Sequence, residues 1–255
     1  MKVALGRHVL GLASIGFGVL ALTWRDFNDW QQIRPLGAIP HRESLLYAIA
    51  VSEIFGGLAM QWRTTARAGA VVLAVVYLFF GVLWLPLFIE KPIFDNLANF
   101  FEQFSMVCGA LIVYATARPS YSHAMVRLAR IGYYGFALCV VSFTLEQALY
   151  LHGTADFVPK WIPPGQMFWA VTTTIAFALA AVALFSGRFA LPASRLLTLM
   201  IVLFGLLVWV PAPFADPHSL TAWGGIAENY GIGGAAWIVA DYLGMAALGR
   251  PRNVN

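Results

Sequence analysis

Four glutamates stand inside apolar stretches of this chain: Glu53, Glu102, Glu146 and Glu228. A charged group at the centre of a membrane helix costs about 2.5–3.5 kcal/mol on insertion scales. An acid kept there faces a bundle interior and serves proton movement, ligand binding or packing. Carboxamides accompany three of the four. Asn99 and Gln103 lie beside Glu102, Gln147 follows Glu146, and Asn229 follows Glu228. An amide can hydrogen-bond a carboxyl in either protonation state. His152 comes shortly after Glu146, at the mouth of the same stretch. The chemistry on offer is proton transfer by Glu53, Glu102 and His152. Asn99, Gln103, Glu146, Glu228 and Asn229 are the candidates to bind a polar headgroup. The competing reading is a set of interhelical hydrogen bonds that fix packing, each worth about 0.6–2 kcal/mol. The cost of burial favours function at Glu53. Duplication lets Glu102 and Glu228 serve either role, and Glu146 is near enough to the surface to be solvated. Asp241 is expected to meet water or Arg250.

Other chemistries find no support. The histidines (His8, His41, His123, His152, His218) form no pair across stretches at one depth, which argues against a bis-histidine haem. There is no glycine-rich phosphate loop, no Gly-x-Ser-x-Gly and no HExxH motif, so neither a nucleotide nor a metal is expected. Cys108 and Cys139 make no Cys-x-x-Cys pair and read as small buried hydrophobes rather than redox thiols.

The elements that must hold these acids are membrane helices. Hydrophobic residues make up 60 % of the 255 and charged residues 11 %, against roughly 45–50 % and 25 % in soluble domains. A bilayer crossing takes about 20 apolar residues. Eight stretches qualify: His8–Trp24, Ser44–Gln61, Ala68–Ile89, Ala98–Thr116, Ile131–Leu151, Met167–Ser186, Ser194–Phe214 and Ile226–Ala247. None alternates as a barrel strand does, so the fold class is an all-α polytopic membrane protein.

Charge gives the direction. Lys2, Arg7, Arg63, Arg67, Arg118, Arg127, Arg130, Arg188, Arg195, Arg250 and Arg252, 11 of the 16 basic residues, fall on one side of the eight stretches. None of the 12 acids falls in a loop on that side. The positive-inside rule predicts cytoplasmic termini and a multi-pass protein of a bacterial inner (plasma) membrane. The net charge of +4 is then a topology signal, and no nucleic-acid partner is expected. The long loops Arg25–Glu43 and His152–Gln166 carry proline, tryptophan and apolar residues. They are expected to lie at the interface as caps.

The chain also repeats. At a separation of 124 positions Gly11 meets Gly135, Pro35 meets Pro159, Pro40 meets Pro164 and Gly81 meets Gly205. Slightly out of step, Trp84-Leu-Pro86 meets Trp209-Val-Pro211 and Glu102 meets Glu228. Fixed-period self-similarity marks a duplicated unit. The expected organisation is a four-helix unit over residues 1–117, a cytoplasmic connector over 118–129, and a second four-helix unit over 130–255. Even numbers of spans make the repeats parallel, related by an axis along the membrane normal. The N-terminal run has the look of a signal peptide, but its match to Ile131–Leu151 predicts that it is retained. Glu53 matches Phe177, so the polar residues are divided unequally between the units. That asymmetry predicts one site, a polar pocket that opens towards the outer face, built from the second, fourth and fifth stretches and the start of the second unit.

The segment His152-Gly-Thr-Ala-Asp-Phe-Val-Pro-Lys-Trp-Ile-Pro-Pro164, the Ser186-Gly187-Arg188 turn and Trp209-Val-Pro211 together resemble the DoxX-like membrane proteins. The resemblance covers Arg130 to Ala247 and reaches the first unit only through the repeat. It implies four spans per unit, so this chain is similar to a fused double version. It also implies a quinone-linked redox role, with quinone as the cofactor and other membrane or redox subunits as partners beside the lipid bilayer. It supplies no catalytic residues, and the lack of paired cysteines speaks against thiol chemistry. The other expectation from the residues is a non-enzymatic module: a small-solute or proton-coupled carrier, or an assembly partner.

Overall fold

The computed structural model describes residues 5–117 and 122–248, the last three as backbone only. Lys2, Arg118, Arg250 and Arg252 lie outside the described residues, so the proposed partnership of Asp241 with Arg250 does too. The described chain is helical, with no strand. Seven of the eight apolar stretches lie largely in one helix, because a long apolar run without turn residues satisfies its backbone most simply within itself, while Ser194–Phe214 is helical at both ends with a wide turn between. The helices are α1 (Leu5–Trp24), α2 (Arg42–Ala59), α3 (Ala66–Glu90), α4 (Phe94–Thr116), α5 (His123–Leu149), α6 (Leu151–Phe157), α7 (Gln166–Ser186), α8 (Ala190–Phe204), α9 (Ala212–Ala215) and α10 (Leu220–Leu248). A wide turn at Gly205–Trp209, closed by Val210 N donating to Gly205 O, carries α8 on towards α9.

Among the described residues, six segments are long and apolar enough to cross a membrane: α1, α3, α4, α5, α7 and the run Ala190–Ala215. The composition of the other two long helices sets them apart. The 18 residues of α2 include Arg42, Glu43 and Glu53. The apolar run of α10 is interrupted by Glu228, Asn229 and Asp241.

The helices close into a ring. Each long helix packs on the next in the chain, and α10 returns to α1. Across the middle, α4 packs on α10, so the ring is pinched into two lobes. The first lobe is bounded by α1, α2, α3, α4 and α10, the second by α4, α5, α7, α8 and α10. Close approach needs missing side chains. A Cβ on Gly57 would collide with Gly11 O of α1, and one on Gly234 would stand 2.5 Å from Leu10 N. These glycines let α2 and α10 press their backbones onto α1.

The two ends of the bundle differ. At the basic end His8 Nδ1 pairs with Gln61 Oε1 at 2.8 Å, and Gly6 N donates to Asp241 Oδ2 at 3.1 Å. There too Arg67 Nε donates to Tyr114 O at 2.9 Å. Helix α5 begins well before Ile131, so Arg127 and Arg130 ride on its first turns rather than on a loop. The opposite end is built from tryptophans. Trp24 Nε1 donates to His218 O at 3.0 Å, and Trp30 meets Trp209 edge-on at 5.5 Å.

The first long loop does not lie flat on the surface as a cap. Asn28 and Gln31 are buried, Gln31 completely. Asn28 Oδ1 accepts from Trp30 N and Gln31 N, forming a tight turn that drives Gln31 into the bundle. The buried glutamate that Gln31 meets supplies the reason: a buried carboxyl needs a donor, and the loop brings one. The second long loop stays outside apart from Ala155, with Trp161 71 % exposed.

Candidate functional site

The first lobe holds a polar cluster at its centre. Glu53 of α2 is completely buried, and its Oε1 accepts from Gln31 Nε2 at 2.5 Å. Gln31 Oε1 in turn accepts from Asn28 Nδ2 at 3.0 Å. On the other side of the lobe, Gln103 Nε2 of α4 donates to both carboxylate oxygens of Glu228 on α10, at 3.2 and 3.1 Å. Glu53 and Glu228 are close enough to interact electrostatically, and Tyr77 of α3 interacts with both. Tyr77 donates to Ser14 Oγ of α1 at 2.7 Å, and Ser14 passes the bond to Leu10 O at 2.8 Å. Every helix that bounds the lobe therefore contributes a polar side chain. None of them is basic. Two acceptors are left without a partner, Glu53 Oε2 and Gln103 Oε1.

Consecutive helix residues point about 100° apart, and this splits the two Glu-amide pairs between lobes. Gln103 serves the first lobe, while Glu102 is half-buried with Glu146, Glu228 and Asp95 as its charged neighbours. Glu228 serves the first lobe, while Asn229 lies against the wide turn at Gly205 with a buried, unpartnered Oδ1. Gln147 Oε1 accepts from Thr173 and Thr174 of α7, each at 3.3 Å. Asn99 is turned back on its own helix, donating to Asp95 O at 2.8 Å.

The expected site residues are therefore distributed as follows. Glu53, Gln103 and Glu228 come together in the first lobe. Glu102 and Glu146 form a separate acidic group near the loop end of α4 and α5. Asn99 and Asn229 join neither hydrogen-bonded network. His152 is exposed on α6 and is not brought to the cluster. Among the described residues no group of His, Cys, Asp or Glu is arranged to hold a metal ion.

Four members of the cluster were not legible as such: Asn28, Gln31, Ser14 and Tyr77. Two adjacent amides, Gln31 and Gln32, in an otherwise apolar loop were the available signal. Positions 124 further on explain why the second lobe lacks this cluster. Gln31, Glu53 and Tyr77 there become Ala155, Phe177 and Ile201, all buried. Phe177 packs edge-on to Phe143 at 5.9 Å, filling with rings the space that the first lobe fills with carboxyls.

Behind the cluster lies an apolar groove of about 600 Å³ along α1 and α10, lined by Ala13, Gly16, Trp24, Trp223, Ala227 and Tyr230 among others. It faces out of the bundle, since Leu12 and Val19 on its wall are exposed. Ala13 and Ala227 line the groove, and their chain neighbours Ser14 and Glu228 belong to the cluster. One layer of helix separates the two. Comparison with protein-family models, with curated proteins and with solved structures finds no match to this chain.

Proposed function

We propose that this chain is a DoxX-like integral membrane protein of eight spans, two parallel four-helix repeats with both termini in the cytoplasm. In this reading it is a quinone-linked redox subunit of a bacterial inner membrane. The repeat is supported by the packing. Exchanging α1 with α5, α2 with α7, α3 with α8 and α4 with α10 maps the packed pairs onto one another, as an axis along the membrane normal requires. The sidedness rests on the gathering of Arg7, Arg63, Arg67, Arg127, Arg130, Arg188 and Arg195 at one end.

One observation carries the quinone reading: an apolar groove open to the side, backed by a buried cluster of carboxyls. A ligand that enters between α1 and α10 arrives from lipid, and a quinone combines an apolar tail with a ring that exchanges protons. Quinone would supply two-electron chemistry when bound. The chain's own residues do the rest. The groove holds the tail, Trp24 and Trp223 stand at its loop end, Glu228 and Glu53 take and give protons in a cluster without a counter-ion, and Gln103 orients the Glu228 carboxyl by hydrogen bonding. The Asn28–Gln31 turn keeps bulk water out. A carrier for water-soluble solutes has weaker support, because that turn seals the polar lobe on the side from which such a solute would enter.

Gly16→Leu tests the reading. A Cβ at Gly16 comes no nearer than 3.7 Å to Ala227 Cβ, so leucine fills the groove without striking backbone. The protein in lipid nanodiscs should show saturable quenching of tryptophan fluorescence by a short-tailed ubiquinone. Gly16→Leu should weaken it by about tenfold, roughly 1.4 kcal/mol. Linear quenching that is identical in both proteins would sink the proposal.

A further inference from the structure

Cys108 of α4 and Cys139 of α5 are both fully buried free thiols. They are buried as their apolar surroundings predict, yet they are not separate. Helix α5 turns glycine towards α4 on successive turns. A Cβ on Gly132 would stand 2.7 Å from Cys108 O, and one on Gly135 would stand 2.7 Å from Cys108 Sγ. The Cys139 thiol donates to Gly135 O at 3.2 Å. Both sulfurs thus converge on Gly135. The seam that pairs α1 with α10 has no counterpart. The positions matching Gly135 and Cys139 there are Gly11 and Ile15, and α10 offers Gly234.

We infer that Cys108 and Cys139 form a reversible dithiol–disulfide couple that, when oxidised, staples α4 to α5 inside the bundle. A disulfide needs Cα atoms about 4.4–6.8 Å apart, and glycine at the contact is what lets two membrane helices approach closely. The oxidant is a lipid-soluble quinone. One sulfur–sulfur bond forms, two S–H bonds break, and the two protons and two electrons convert quinone to quinol. Neither sulfur has exposed surface, so oxidation requires the α4–α5 seam to open towards the lipid, where the quinone is dissolved and reagents confined to water are not. The couple needs quinone only as an oxidant dissolved in the bilayer, and stands whether or not the α1–α10 groove binds one. Helix α4 also carries Glu102 and Gln103, and α5 carries Ser142 and Glu146. Oxidation therefore fixes the two helices that hold the acidic group of the second lobe.

The full chain in membrane vesicles is treated with tetramethyl-benzoquinone, whose ring has no open position for thiol addition. It is then denatured, alkylated with a maleimide and weighed by mass spectrometry. Alkylatable thiols should fall together from two per chain towards none and return with dithiothreitol. In Cys108→Ser the remaining Cys139 should stay alkylatable, and in Cys139→Ser the remaining Cys108 should. Cys108→Ala and Cys139→Ala, which keep the burial apolar, replace either serine variant that fails to insert. Two thiols still alkylatable after treatment, loss of one without the other, or a bond joining two chains each overturns the inference.

Discussion

Glu53 and Gln31 illustrate how a buried acid is tolerated. The carboxyl has one donor at 2.5 Å, delivered from a loop, and a second oxygen that the protein leaves unpartnered. Leaving a buried donor or acceptor unpaired costs about 1–3 kcal/mol, whereas a satisfied neutral bond contributes about 0.5–1.5. The two simplest substitutions should therefore separate. Glu53→Gln keeps an oxygen for Gln31 and presents an N–H where Oε2 stood. Its stability should stay within about 1 kcal/mol of the parent. Glu53→Leu strands the Gln31 amide and should lose about 1–3 kcal/mol, read as an earlier midpoint in detergent unfolding. Equal midpoints would mean that Gln31 is not held by Glu53. A proton-release assay on quinol oxidised by an added one-electron acceptor should show the reverse emphasis, with Glu53→Gln losing the protein-dependent release although it folds.

The element that matters most to this arrangement is the turn Asn28–Gln31, and two tryptophans from different parts of the chain hold it. Trp84 Nε1 of α3 donates to Trp30 O at 3.0 Å, and Trp209 sits edge-on to the Trp30 ring. These are the same tryptophans that match, one position out of step, in the 124-residue sequence repeat. Trp84→Phe removes the donor and keeps the ring. Amide hydrogen exchange over residues 28–33 should quicken by up to about tenfold, the equivalent of roughly 1.4 kcal/mol of local opening, with exchange in α4 unchanged. Uniform acceleration along the chain would show that Trp84 supports the bundle rather than the turn.

The helices themselves were legible because apolar length is a local property, although the wide turn that breaks Ser194–Phe214 was not. The starting point of α5 was not, since Arg127 and Arg130 look like loop residues until a helix extends beneath them. The contacts of the cluster were illegible for a different reason. Gln31 reaches Glu53 across a reversal of direction, and Gln103 reaches Glu228 from the other half of the chain. Periodicity gives the phase of a residue on its own helix but not the rotation of that helix against its neighbours. Cys108 and Cys139 show the same limit: each reads as a lone hydrophobe until α4 and α5 are turned against each other at Gly132 and Gly135.

At the scale of the molecule, the ring closes only if successive helices run in opposite directions, so the basic end and the tryptophan end face opposite sides of whatever the ring spans. Lipid fits the outer surface, where Leu12, Val75, Leu179, Val182 and Leu196 are all more than half exposed. The arginines then decide which end is which, since charge bias near short loops orients a membrane protein as it inserts. Three engineered cysteines test this in a background with Cys108 and Cys139 replaced by serine. Ala124 lies at the basic end, and Ala38 and Gly153 at the other. Both alanines are exposed, and nothing stands near a Cβ at Gly153. An impermeant maleimide added to intact cells should label Ala38→Cys and Gly153→Cys and leave Ala124→Cys untouched until the membrane is opened. Labelling of Ala124→Cys alone in intact cells would invert the molecule and place the polar lobe towards the cytoplasm. Labelling of Ala38→Cys without Gly153→Cys would break the equivalence of the two halves, because those sites lie in the two long loops and must share a side if both units run the same way.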